Sequence, residues 1–143
     1  MNVARILSLK GNSVVHVAPD SRLADVVALL REKRIGAVIV STDGRRIDGI
    51  LSERDVVHRI ADGGPAVLDE AVSAVMVRAV VTCGLEDTVS EIMGRMTQRR
   101  FRHLPVIDDQ GILCGMISIG DVVKARLDQI ESEAESLREY IAS

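Results

Sequence analysis

The chain has 143 residues, the size of one compact unit with a real core and too short for two large independent domains. Eighteen Lys and Arg against 21 Asp and Glu leave a net charge of −3, so no basic field exists to hold nucleic acid or an anionic membrane. No apolar run reaches the roughly 18 residues of a membrane span, and residues 1–11 lack the apolar stretch and cleavage site of a signal peptide, which points to a cytoplasmic protein.

Hydrophobic residues make up 47%, with twenty Val and thirteen Ile but one Phe, one Tyr and no Trp. The core must therefore be aliphatic and β-branched, which favours strands mixed with helices. Residues 14–17 form a short β-branched run, and Pro19-Asp20-Ser21 stops it with helix N-cap types. Leu23, Val26, Val27, Leu29 and Leu30 then recur at helical spacing. Residues 37–40 and 47–51 read as two strands joined by a polar turn at Thr42-Asp43-Gly44. A second helix, capped by Ser52 or its neighbours, carries Val56, Val57 and Ile60 and closes at Asp62-Gly63-Gly64-Pro65.

The same order then recurs. At an offset of 66 residues, 14–57 aligns without a gap on 80–123, and ten of the 44 positions are identical, where composition alone gives roughly three or four. Among the identities are Arg34/Arg100, Gly49/Gly115, Ser52/Ser118 and Asp55/Asp121. The second copy has a strand over 80–82, a helix over 88–98, strands over 104–107 and 113–118 around a turn at 108–111, and a final helix. Each half is too small to bury a good core alone, so the copies are expected to pack together. The final helix is longer than its counterpart. Val123, Leu127, Ile130, Ala134, Leu137 and Ile141 follow the seam spacing of a helix packed on a helix, either capping its own core or joining two chains.

The two segments placed to touch a ligand are Gly49-Ile50-Leu51-Ser52-Glu53-Arg54-Asp55 and Gly115-Met116-Ile117-Ser118-Ile119-Gly120-Asp121. Each lies where an apolar strand gives way to a helix, a junction that offers free N–H groups, a hydroxyl and a carboxylate one turn on. Such groups suit a sugar and its phosphates. Ser-x-x-Asp is equally what a helix N-terminus needs to cap itself, and the motif alone leaves both readings open. Catalysis and metal binding find no support. His16, His58 and His103 have no acidic partner at useful spacing, Cys83 and Cys114 form no CxxC and read as small buried hydrophobes, and neither GxGxxG nor GxxxxGK[ST] occurs. The basic run ending at Arg102-His103 offers only Phe101 for base stacking, which argues against RNA.

The doubled glycine, aliphatic pair, Ser-x-x-Asp pattern, with Arg102-His103-Leu104-Pro105-Val106-Ile107-Asp108 before its second occurrence, resembles a tandem pair of cystathionine β-synthase (CBS) domains, or Bateman module. The resemblance covers nearly the whole chain and is nearest to small stand-alone bacterial pairs and to the regulatory insert of inosine monophosphate dehydrogenase. It implies a mixed α/β (α+β) fold of two βαββα repeats related by a pseudo-twofold axis, plus the long C-terminal helix. The domains would span 8–65 and 74–130, with 124–142 extending from the second. Adenosyl ligands are implied in clefts between the copies. By position, Asp55 and Asp121 would bond ribose hydroxyls beside Ser52 and Ser118; Ile35, Gly36 and Ala37 would flank adenine; and Arg102 and His103 would reach phosphate.

Gly36-Ala37 leaves room where Arg102-His103 brings bulk, so the cleft joining Asp121 to Ile35, Gly36 and Ala37 is the better candidate. Arg54 reads as a phosphate contact or a solvated side chain, and Thr82 as an adenine contact or a packing residue. Two functions follow. One is a non-enzymatic homodimeric sensor of AMP, ADP or ATP, or of NAD or S-adenosylmethionine, that regulates a partner in trans. The other is a structural, dimerising protein with vestigial nucleotide sites.

Overall fold

The computed structural model describes residues 1–142. Helix α1 (Val3–Lys10) is followed by β1 (His16–Val17), α2 (Leu23–Lys33), β2 (Ala37–Val40), β3 (Gly49–Ser52) and α3 (Glu53–Gly63). Two 3₁₀ turns, Pro65–Asp69 and Val72–Ala74, lead to α4 (Val89–Arg99), β4 (His103–Ile107), β5 (Leu113–Ser118) and α5 (Ile119–Ala142). In the first sheet β1 runs parallel to β2, which pairs antiparallel with β3; β4 and β5 form an antiparallel pair in the second. Two aliphatic cores result, one per repeat: Leu23, Val26, Leu30, Val38, Val40 and Leu51 centre the first, and Val89, Ile92, Met96, Leu104, Val106 and Ile117 the second. Val38 and Val40 point into the first core, whereas Ile39 on the opposite face of β2 is fully buried outside it. The two copies meet where Gly36 lies against the ring of His103 and where Leu113 N–H donates to the Arg45 carbonyl at 2.8 Å.

The strand expected over 80–82 shrinks to one bridge, Cys83 to Val106. In the first copy the Ile39 and Ser41 N–H groups donate to the carbonyls of Val15 (3.2 Å) and Val17 (2.9 Å). In the second, Ile107 donates to Cys83 at 2.9 Å, but Pro105 stands where Ile39 stood and has no N–H to offer Val81.

A second departure concerns the start of α2. Its N-cap is Arg22, which makes no side-chain cap bond, and neither Asp20 nor Ser21 fills that place. The Leu23 N–H instead donates to the Glu70 carbonyl at 2.8 Å, and Val72 N–H donates to Ser21 at 2.7 Å. The pattern repeats in the other half. Val89 N–H donates to Met1, and Val3 N–H to Asp87 at 2.9 Å. Residues 1–7 thus do for the second copy what 70–76 do for the first, an equivalence at an offset of 69. Val3, Ile6 and Leu7 of α1 are buried in the second core, whereas Val72 and Met76 are buried in the first.

This exchange explains the paired glycines. A Cβ on Gly115 would stand 2.7 Å from Leu7 Cδ1, and one on Gly49 would stand 2.8 Å from Met76 Cγ. Both positions lie where a leading segment crosses the sheet too closely for a side chain.

Helix α5 turns Val122 and Ala125 inward, while Val123, Leu127, Ile130, Leu137 and Ile141 are exposed. The seam noted in the sequence therefore does not cap its own core; that task falls to a neighbouring stripe. Among the described residues no helix is long and apolar enough to cross a membrane.

Candidate functional site

Between the copies lies a cleft of ≈ 330 Å³. Ile35, Gly36 and Ala37, at the entry to β2, form one side of it; His103, Met116 and Ser118 come from β4 and β5, and Lys10 and Arg34 close the rim. Gly36 lets the two copies approach closely here: an added Cβ would lie 3.1 Å from His103 Cε1, and the ring would have to shift by a few tenths of an ångström. Arg34 holds the left-handed turn that ends α2 (φ 54°), and its repeat mate Arg100 does the same after α4 (φ 57°).

Asp121 sits at the start of α5. Its Oδ2 accepts the Ser118 N–H at 2.8 Å, and its own N–H donates to Ser118 Oγ at 3.2 Å. The Lys10 ammonium lies 2.6 Å from the same Oδ2 and donates also to the Met116 carbonyl at 3.0 Å. Burial alone would raise the Asp121 carboxyl, but the bonds from Lys10 and Ser118 outweigh it and hold the group below the ordinary Asp range. His103 is also held below its ordinary value, but here by burial, which disfavours its charged form; Lys10 and Arg102 add to that, and these outweigh Glu53 and Asp121.

Asp55 repeats the local motif without the cation. Its Oδ2 accepts from Ser52 N–H (2.8 Å) and Ser52 Oγ (2.9 Å), and Asp55 N–H donates back to Ser52 Oγ at 3.3 Å, a closed capping box. Among the described residues no Lys or Arg side chain is paired with it.

The structure therefore gathers Ile35, Gly36, Ala37, His103 and Ser118 in one cleft; Asp121 does not line it but is bonded to two residues that do, Ser118 and Lys10. Arg54 and Arg102 are exposed, and the Arg102 carbonyl accepts the first N–H of α5, from Ile119, at 2.8 Å. Thr82 lines a different hollow of ≈ 540 Å³ with Asp87, Arg95 and Asp108. Cys83, in its wall, is buried and its thiol is pushed up to about 12 by burial and then by the Asp87 charge, so it is inert as a nucleophile.

The sequence pattern of the CBS domain matches this chain twice, over residues 9–62 and 72–128. The chain belongs to the CBS-domain family. It is a tandem CBS pair, and its mixed fold of two repeats is that of solved CBS pairs; the long C-terminal helix α5 extends from the second repeat. The CBS-domain protein ATU1752 of Agrobacterium tumefaciens superposes with a TM-score of 0.85 at 43% identity, over 88% of this chain and 99% of that one. The mitochondrial CBS domain-containing protein CBSX3 of Arabidopsis thaliana is 31% identical over 97% of this chain and 71% of its own length. The CBS domain protein PAE2072 of Pyrobaculum aerophilum, solved in complex with AMP, shares the fold with a TM-score of 0.74 at 23% identity, over 85% of this chain and 89% of that one.

Besides Ser13, Val14 and Val15, two charged cleft residues of this CBS pair, Lys10 and Arg34, are not singled out by the sequence. Arg34 carries a signal, its identity with Arg100 at the repeat offset. Lys10 carries none within the ungapped repeat, because it precedes it: six residues, 8–13, link the first leading segment to its copy, where three, 77–79, serve the second.

Proposed function

We propose that this CBS pair is a non-catalytic regulatory module that binds an adenine nucleotide in the Asp121 cleft and passes the bound state to a partner. The observation that carries the reading is the cleft itself, where Ile35, Gly36 and Ala37 of one copy face a Ser-x-x-Asp helix start in the other. Its ≈ 330 Å³ falls at the lower end of the several hundred Å³ usual for small-molecule sites. Ile35, Gly36 and Ala37 flank the adenine, Asp121 receives the ribose hydroxyls beside Ser118, and His103 lies toward the phosphate. AMP, ADP and ATP rank ahead of NAD and S-adenosylmethionine. The AMP complex of PAE2072 supports the ligand class for that protein, and the shared fold brings it here as part of the proposal. Asp55, Ser52, Arg54 and Arg102 belong to the pseudo-equivalent place, which is the weaker site.

Signalling requires that the ligand bind two arrangements with different affinity. The exposed stripe of α5 supports a homodimer as the body that is rearranged, since its 4-3-4-3-4 spacing suits a second copy of the same helix. Cytoplasmic location fits the unpaired state of Cys83 and Cys114.

A second reading, a dimerising protein with vestigial sites, draws on the complete capping box at Ser52 and Asp55. A thermal-shift series with AMP, ADP, ATP, NAD, NADH and S-adenosylmethionine separates the two. A rise in melting temperature with one adenine compound, lost in Asp121→Ala, supports the sensor. No rise with any at millimolar concentration favours the dimerising protein. The cap lost in Asp121→Ala costs about 1 kcal/mol under either reading, so only the ligand response decides.

A further inference from the structure

The two clefts of the pair are inequivalent for a reason that lies outside the repeats. In the first copy, the Ile50 carbonyl accepts the Val77 backbone N–H at 2.9 Å. The matching carbonyl in the second copy, that of Met116, accepts the Lys10 ammonium at 3.0 Å. The longer link, residues 8–13 against 77–79, thus puts a cation where the first copy has a neutral backbone donor, and that cation continues to Asp121 Oδ2 at 2.6 Å. Lys10 is itself held in place: it ends a helix whose Val3, Ile6 and Leu7 are buried in the second core, while its side chain stays 36% exposed toward the cleft.

Oδ2 of Asp121 accepts two bonds, from Ser118 N–H and from Lys10, which fills its two lone pairs. Oδ1 takes neither of these two bonds. A ribose presents two adjacent hydroxyl donors, and to place them on both carboxylate oxygens Lys10 must leave Oδ2. An ammonium displaced in a half-closed cleft has lost its counter-ion and needs another anion within reach of its stem. Uncharged adenosine supplies none, whereas a 5′-phosphate does.

We propose that Lys10 is a tethered counter-ion that holds Asp121 until a ligand binds and moves to the ligand's phosphate when the ribose takes the carboxylate, so that this site selects phosphorylated nucleosides over adenosine. The inference rests on the adenosyl reading of the Asp121 cleft and adds to it a specificity residue contributed by the N-terminal helix.

The test is calorimetric titration of AMP and of adenosine into the unaltered chain, Lys10→Met and Lys10→Arg, with circular dichroism to confirm that each variant is folded. Met keeps the length of the stem, and Arg keeps the charge. The expected result is that Lys10→Met weakens AMP roughly tenfold or more, leaves adenosine unchanged or tighter, and so collapses the preference between them, while Lys10→Arg retains most of it. Equal weakening of both ligands in Lys10→Met, or an unchanged preference for AMP, overturns the role of Lys10 and leaves the adenosyl site standing. Failure of both ligands to bind the unaltered chain overturns the adenosyl reading and this inference together.

Discussion

Replacing Gly115 with Ala tests whether α1 is an integral part of the second CBS copy. The new Cβ would lie 2.7 and 2.8 Å from the two methyl carbons of Leu7. Ordinary carbon contacts are about 3.5–4.0 Å, so Leu7 must retreat by roughly 1 Å within a packed core. Overpacking of this kind costs about 1–3 kcal/mol. At about 2.1 cal/mol/K per residue, the unfolding entropy of a 143-residue chain is roughly 0.3 kcal/mol/K, and the melting temperature should fall by about 3–10 °C. Leu7→Ala alone removes a buried side chain and should cost about 2–5 kcal/mol. The informative chain is the double variant: with Leu7 shortened the new methyl has space, so the two costs should sum to at least about 1 kcal/mol less than additivity requires. Because the chain has no Trp and one Tyr, far-ultraviolet circular dichroism or calorimetry is the suitable assay. Additivity to within about 0.5 kcal/mol would refute the close crossing of α1 over β5.

Pro105→Ile restores a backbone N–H opposite Val81; the residue 105 amide should be protected in hydrogen exchange and the strand over 80–82 should lengthen, and rapid exchange there would contradict the assignment of the shortened sheet to the missing donor. His103 has its charged form disfavoured by burial, so between its ordinary pKa of 6.5 and its lower folded value the unfolded chain holds more protons, and stability should fall as pH drops through that window. His103→Gln should flatten that part of a melting-temperature profile, whereas the loss at lower pH, where Asp121 is protonated, should persist. Leu127→Glu places a charge in the middle of the exposed α5 stripe, on a residue 57% exposed; light scattering should show a dimer reduced to monomer with the melting curve little changed, and a monomeric unaltered chain would remove the basis for the stripe as an interface.

Much of the fold was legible because the repeat doubles every signal. Helix α3 begins at Ser52 and ends at Gly64 as cap chemistry requires, and β2, β5 and α4 fall within a residue or so of the periodic segments. What was not legible depends on partners distant in the chain. The side-chain cap expected near Ser21 is absent because the Glu70 carbonyl already takes the Leu23 N–H, a bond that no local pattern announces. Pro105 was visible, but its effect falls on a strand more than twenty residues away. Helix α1 had its own local marks, the Asn2 cap, Val3-Ile6-Leu7 and Lys10-Gly11, yet it has no ungapped match at the repeat offset. In the site, Gly36 and the Ser-x-x-Asp pair could be placed by comparing one copy with the other. Lys10 could not, since its role arises from a difference in link length.

The exchange of leading segments also imposes an order in time on synthesis. Residues 14–76 contain the whole first copy together with the segment that covers it, so this half can close while the rest of the chain is still being made. Residues 1–7, which precede the first copy in the chain, have their seat on β5 and α5 and must wait until Ile117, Val122 and Ala125 have followed. Until then Val3, Ile6 and Leu7 are apolar surface without cover, carried by a nascent chain whose first copy is already folded. The segment that precedes the first copy is thus made before it yet buried after the second, and Lys10 can reach Asp121 only once the start of α5 is in place.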